Sequence, residues 1–212
     1  MTNQLFVPYI RQDSGLPKAF KHPIFQLLGL RGVIADHTEA EEQMLQKHAV
    51  GRKTIVEIGV AEGASALALR KAADPDAKLY LIDPYQSGRI PGLNFTKFVS
   101  HRHVDRSQNA VATWVQDYSF NVSSTWQTPI DFLFIDGDHS YEGCLKDWQE
   151  WSPFVVPQGI VVFHDARLFQ NGWTKPDWGS VRVVNEILHH HQSAAWKVVD
   201  EVDSLVVMQR QA

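Results

Sequence analysis

The stretch Thr54-Ile55-Val56-Glu57-Ile58-Gly59-Val60-Ala61-Glu62-Gly63-Ala64-Ser65 sets the architecture of this chain. Thr54–Val60 is a short, largely apolar and β-branched run, which predicts a strand. Gly59 and Gly63 permit backbone conformations and close approach that a Cβ would block. Ala64–Ala73 then collects strong helix formers and stops before the turn Asp74-Pro75-Asp76. Strand, glycine loop and helix in close succession open a βαβ unit.

The alternation continues towards the C-terminus. Strands are predicted at Lys78–Ile82, Ala112–Gln116, Ile130–Ile135 and Ile160–Phe163, and helices at Leu93–Val104, Tyr141–Trp151 and Ser180–His189. Trp196–Val207 reads as two short strands turning at Asp200–Ser204. On the other side, Thr38 with Glu41 forms a capping box, and Met44, Leu45 and His48 recur at helical spacing up to Gly51. The expected fold is α/β and Rossmann-like, a mostly parallel sheet covered by helices on both faces. Residues 1–37, broken by Pro8, Gly15, Pro17 and Pro23, are expected to form an arm or cap. Its Phe6, Tyr9, Phe20, Phe25, Leu27 and Leu28 dock on the body formed by 38–212.

Composition narrows the function classes. The 212 residues suit one well-buried domain. A formal net charge of −4 offers no basic field for a nucleic-acid backbone, so no nucleic-acid partner is expected. With Cys144 as the single cysteine, no intramolecular disulfide forms. Neither a secretory leader nor a membrane-length apolar run is read, so the expected setting is cytoplasmic, without a membrane partner. The N-terminal arm offers a surface through which a homodimer could form.

In a parallel sheet, ligands bind outside the carboxyl ends of the strands, so the residues following each strand carry the chemistry. After the first come Glu57, Gly59, Glu62, Gly63 and Ser65. The two acids disfavour a pyrophosphate and suit a cationic ligand. Alanine at position 61 departs from the G-x-G-x-x-G of a dinucleotide fingerprint. After the second, Asp83 can accept hydrogen bonds from both hydroxyls of a ribose, or cap the turn it forms with Pro84. Asp117, Tyr118 and Ser119 follow the third and could grip a base by edge and face, or simply make a polar cap.

The fourth strand runs into Asp136-Gly137-Asp138-His139-Ser140-Tyr141, and the fifth ends in Phe163-His164-Asp165. Converging strand ends would let Asp136, His164 and Asp165 offer oxygen and imidazole ligands to Mg²⁺, Mn²⁺, Zn²⁺ or Fe²⁺. The alternative is that His164 only fixes the carboxylates by hydrogen bonding. Ala166–Gly179, with Arg167, Phe169, Trp173 and Trp178, is long enough for a lid or binding loop. His189-His190-His191 reads as a helix end complemented by imidazoles. Trp148, Trp151 and Cys144 read as packing residues.

Together, Glu57-x-Gly59-x-x-x-Gly63-x-Ser65, Asp83, Phe134-Ile135-Asp136-Gly137-Asp138-His139-Ser140-Tyr141 and Phe163-His164-Asp165 resemble the class I S-adenosylmethionine-dependent methyltransferases. More narrowly, they resemble the small-molecule O-methyltransferases of the macrocin-like and catechol-type branch. The resemblance covers about residues 38–212. It implies a seven-stranded sheet whose last strand inserts antiparallel through a C-terminal hairpin, and transfer of a methyl group to a hydroxyl of a small-molecule acceptor. Glu57, Gly59 and Gly63 would surround the methionine part of the cofactor and Asp83 the ribose. Asp117, Tyr118 and Ser119 would lie near the adenine, and Asp136 would face both cofactor and a divalent metal, Mg or Mn in the first instance. His164 stands where metal-dependent relatives carry an acid. His139 matches a catalytic lysine of the catechol-type enzymes and Asp138 a proposed base of the macrocin-like ones, so either would take the acceptor's proton. Two other classes compete: a nicotinamide-dependent oxidoreductase and a non-catalytic nucleoside-binding paralogue.

Overall fold

The structure, a computed structural model, describes residues 10–11, 21–86, 93–190 and 195–212. The docking expected of Phe6, Tyr9 and Phe20 and the side chains of His189, His190 and His191 lie outside what is described. In chain order the elements are β1 (Ile10–Arg11), α1 (Ile24–Leu27), β2 (Ile34–Ala35), α2 (Glu39–Ala49), β3 (Thr54–Ile58) and α3 (Ala64–Ala72). Then come β4 (Lys78–Ile82), α4 (Phe95–Val104), β5 (Val111–Val115), α5 (Ser119–Ser123), β6 (Ile130–Ile135) and α6 (Tyr141–Trp151). The chain finishes with β7 (Val155–Phe163), α7 (Gly179–His190), β8 (Trp196–Val202) and β9 (Leu205–Arg210).

The main sheet has seven strands in the order β5-β4-β3-β6-β7-β9-β8. All its neighbours run parallel except β7–β9 and β8–β9, the antiparallel terminal hairpin. This is the seven-stranded Rossmann-like sheet expected. The chain leaves β3 towards β4 on one side and returns to pair β6 on the other. That reversal opens a crevice at the carboxyl ends of β3 and β6.

Strand periodicity builds a core on each face. Ile55, Leu79, Phe132 and Ile160 point to the layer that holds Leu45 of α2 and Leu69 of α3. Their neighbours Val56, Leu133 and Val161 point to the opposite layer, against Trp148 and Trp151 of α6 and Val183 and Ile187 of α7. Phe132, Trp151 and Leu45 are fully buried, each contributing about 1.5–3 kcal/mol by leaving water. Cys144 lies buried in the second layer, as a packing residue does.

The elements depart from expectation at two places. Strand β7 begins at Val155 rather than Ile160, because Pro157 and Gly159 read as breakers. The strand accommodates them through a register shift against β6 and a left-handed Gln158 (φ 65°). The short α5 was not expected. At five residues it spans little more than one turn, too few for a hydrophobic period to show.

The segment before α2 is tied into the body. Val33 and Ala35 are buried against Ala64 and Val99. Arg31 makes a bidentate ion pair with Glu62, its Nη1 and Nη2 lying 2.7 and 2.5 Å from the two carboxylate oxygens. Among the described residues no helix is long and apolar enough to cross a membrane.

Candidate active site

The crevice is a cavity of about 900 Å³. Its floor comes from the ends of β3, β4, β6 and β7, and its walls from Ile34, Asp36 and His37 on one side and Tyr118, Ser119 and Phe120 on another. Trp173 and Trp178 of the loop after β7 complete it. At its centre the β3 and β6 loops touch. Gly59 has φ 87°, and a Cβ there would stand 2.1 Å from the carbonyl oxygen of Asp136. Only glycine fits, so the glycine loop is cut to the shape of the neighbouring strand end.

Around that contact the expected nucleoside residues gather, with changed partners. Glu57 is fully buried. Its Oε1 accepts a hydrogen bond from Ser65 Oγ, while Oε2 has no hydrogen-bond partner among the described residues. Burial, with the charges of Asp136 and Asp83 nearby, pushes its carboxyl well above the ordinary range, although the Ser65 hydroxyl opposes the shift. Asp83 accepts from the amides of Val60 (2.9 Å) and Ala61 (3.0 Å) with Oδ2, and from Tyr85 N (2.7 Å) with Oδ1. It therefore caps its own turn and also holds the glycine loop, while still lining the cavity.

Two expected residues are placed differently. Glu62 lines the cavity, but Arg31 and the amide of Ile34 take its oxygens, so its charge is not left free for a cationic ligand. Asp117 is exposed and lies outside the cavity lining. Its Oδ1 accepts from Tyr118 N (2.7 Å) and Asn121 Nδ2 (2.8 Å), which ties it to the turn leading into α5.

The strand ends of β6 and β7 converge as the sequence suggests. His164, 3% exposed, holds Nδ1 3.0 Å from Asp136 Oδ1. His139 brings Nε2 to 3.2 Å from the same oxygen and Nδ1 to 3.2 Å from Asp165 Oδ2. Burial would raise the Asp136 carboxyl, but the positive rings of His164 and His139 hold it well below the usual range. Hydrogen bonds to Asp136 and Asp165 raise His139 to about 10, against its own desolvation. Burial alone would lower His164, yet Asp136, Glu41 and Asp165 hold it well above the ordinary histidine value.

Donor atoms of Asp136, His139 and His164 lie within 4.8 Å of one another, a spacing that a metal ion can bridge. Sequence reasoning expected Asp165 as the third donor. Instead Asp165 backs His139, and its Oδ1 accepts from Trp173 Nε1 at 2.6 Å. Asp138 turns the other way. Its Oδ1 accepts from Ser140 N (2.9 Å), and its carboxyl packs where a Cβ on Gly143 would stand, facing α6 rather than His164.

Comparison with known proteins places this geometry. The family described as "Methyltransferase domain" matches residues 56–166, just over half of the chain. The chain belongs to the methyltransferase-domain family. Among curated relatives, an uncharacterized protein of Acanthamoeba polyphaga mimivirus is 32% identical over 113 residues, covering 53% of this chain and 51% of its own. Another, from Sinorhizobium fredii, is 24% identical over 132 residues, 59% of this chain and 14% of its own length. The chain thus spans about half or less of the curated relatives it matches.

Solved structures share the fold at low identity. The O-methyltransferase TomG of Streptomyces achromogenes, in complex with SAM and involved in tomaymycin synthesis, superposes with a TM-score of 0.64, at 13% identity over 98% of this chain and 93% of that one. An O-methyltransferase from Bacillus cereus in complex with SAH gives 0.61 at 15% identity over 94% of both chains.

Two residues of the site are not marked by the sequence. Glu41 is fully buried. It completes the capping box through Thr38 N (2.7 Å), accepts from Ser204 N (2.7 Å) and Oγ (2.6 Å), and faces His164 Nε2 at 3.6 Å. Asp147 of α6 is 4% exposed and lines the cavity. Glu41 had a sufficient local explanation as a cap, and Asp147 sits beside Lys146 where a solvated charge pair is the ordinary reading.

Proposed function

We propose that this chain transfers the methyl group of S-adenosylmethionine to a hydroxyl of a small molecule, assisted by a divalent cation. The observation that carries the reading is the convergence of Asp136, His139, His164 and Asp165 beside the contact of Gly59 with Asp136. A nucleoside site and an acid–imidazole cluster thereby share one cavity. Family membership supports methyl transfer, and structural likeness to O-methyltransferases supports oxygen as the acceptor.

The residues present fit the cofactor. Gly59, Val60, Ser65 and Asp83 line the cavity, and the buried Glu57 carboxyl stands behind them, bonded to Ser65 and with Oε2 unpartnered among the described residues. They also fit a cation. Both ring nitrogens of His164 are buried without a hydrogen bond of good geometry, although carboxylates lie near each. Asp136 and His164 would hold the ion, with His139 or Asp165 as third donor. When bound, a divalent ion there supplies Lewis acidity that lowers the pKa of an acceptor hydroxyl and orients neighbouring oxygens.

The chain's own residues do the rest. Methyl transfer from a sulfonium needs alignment above all. Trp173, pinned through Nε1 to Asp165, and Trp178, whose ring centre lies 6.4 Å from that of His139, give flat walls for a ring-bearing acceptor. His139 is the better placed of the two proposed bases, because Asp138 faces α6. With Asp136 and Asp165 beside it, His139 carries its proton at neutral pH. It becomes a base only when another positive charge shares those carboxylates.

A thermal-shift series tests the reading with S-adenosylmethionine, S-adenosylhomocysteine and NAD, each with and without Mg²⁺ or Mn²⁺. Stabilisation by the adenosyl compounds, followed by methyl transfer to a catechol or sugar panel, is expected. Stabilisation by NAD alone overturns it.

A further inference from the structure

At the end of the cavity lined by Tyr118, Ser119 and Phe120, the carboxyl group that reaches the lining is Asp147, not Asp117. Asp147 reaches in from the second turn of α6, almost wholly buried, and its Oδ1 accepts a hydrogen bond from Ser119 Oγ at 2.5 Å. Its Oδ2 lies 3.2 Å from where a Cβ on Gly137 would stand, so that oxygen borders the glycine after β6. The carboxyl therefore spans the gap between the loops that follow β5 and β6. Tyr118 and Phe120, which line the same cavity, are 44% and 40% exposed and offer faces on which a planar group can stack. Asp83, the ribose candidate, lines the cavity too.

We infer that Asp147, steadied by Ser119, is the residue that reads the polar edge of the cofactor's base, and that it selects adenine. This rests on the adenosyl cofactor proposed above. Adenine presents an amino donor beside a ring-nitrogen acceptor. A carboxyl group whose Oδ1 already accepts from Ser119 keeps Oδ2 as an acceptor for the amino group. Hypoxanthine replaces the amino donor with a carbonyl, which sets two acceptors against each other. Burial, aided by Glu150 and Asp138 against the Ser119 hydroxyl, pushes the Asp147 carboxyl up to about 6, so the acceptor form that discriminates prevails above neutrality, where binding is measured. The structure gives Ser119 a partner that a polar loop alone would not need.

Calorimetry with S-adenosylhomocysteine and S-inosylhomocysteine on the full chain tests the assignment. The wild type should bind the adenosyl compound at least about 10-fold more tightly, the margin of a buried hydrogen-bonded edge. Asp147→Ala should bring the two within about threefold of each other. Asp147→Asn, whose amide can turn a donor towards the carbonyl of hypoxanthine, should also narrow the preference, and as an isosteric change it guards against a folding defect in the alanine variant. Ser119→Ala, which removes only the supporting hydroxyl, should narrow the ratio. Unchanged discrimination in folded Asp147→Ala overturns the assignment alone. Failure of the wild type to bind either compound overturns the adenosyl reading beneath it, and the assignment with it.

Discussion

Glu41 and Asp136 stand on opposite sides of the His164 ring, Oε2 of the first 3.6 Å from Nε2 and Oδ1 of the second 3.0 Å from Nδ1. The same Glu41 accepts from Ser204, whose Oγ in turn accepts from the amide of Asp165 at 3.2 Å. One carboxylate from α2 thereby braces both residues at the end of β7. Asp165 needs that bracing, because its backbone is left-handed at φ 52°.

Glu41→Ala should cost about 3–5 kcal/mol, since it leaves Ser204 and Thr38 without their acceptor and strips a buried charge of its partner. Glu41→Gln should recover part of that loss by keeping an acceptor oxygen. Urea denaturation of both variants checks this, and a loss below about 1 kcal/mol for alanine would refute the bracing role.

His139→Ala should slow methyl transfer by about 10²–10⁴-fold while leaving the affinity for S-adenosylhomocysteine within about twofold. Its affinity for Mn²⁺ separates the two roles open to this side chain. An unchanged metal affinity marks His139 as the base; a large loss marks it as a ligand.

Gly59→Ala forces a Cβ to within 2.1 Å of the Asp136 carbonyl oxygen at a left-handed φ. The expected penalty is about 3 kcal/mol or more, with loss of cofactor binding, because the two loops must part. Denaturation and calorimetry report the two effects separately.

Stability should carry an imprint of Asp147. Its carboxyl is raised from 3.8 to about 6 in the folded chain, so the folded state holds the proton more tightly than the unfolded one. The stabilisation linked to that proton is complete below about pH 4 and is lost as pH rises through about 6, a change of about 3 kcal/mol. Relative to wild type, Asp147→Asn should therefore gain about 3 kcal/mol between pH 4 and 7.5, measured on ligand-free protein. A difference that does not vary with pH would show that Asp147 titrates as an ordinary exposed acid.

The fold was legible because its signals are local. Short apolar runs in β3, β4 and β6 and the helix-forming runs after them need no knowledge of distant partners. Asp136, His139 and His164 were legible for a related reason: in a parallel sheet, position after a strand is itself spatial information. What stayed hidden are pairings between distant stretches. Glu41 and His164 are 123 positions apart, and a satisfied capping box gives no reason to look further. Asp147 on α6 carries no sign in its neighbours that Ser119 will draw it into a cavity. Asp117 shows the converse, an acid at the right distance after a strand that the local turn claims for itself.

The pairing of Arg31 with Glu62 has a consequence for how such a domain can be rearranged. The glycine loop's net charge is set by a residue that precedes both α2 and the stretch matched by the family, so residues 38–212 are not a portable cassette. A chimaera grafting a foreign leading segment onto them must bring its own cation to Glu62. Otherwise it leaves a bare, buried carboxylate on the glycine loop.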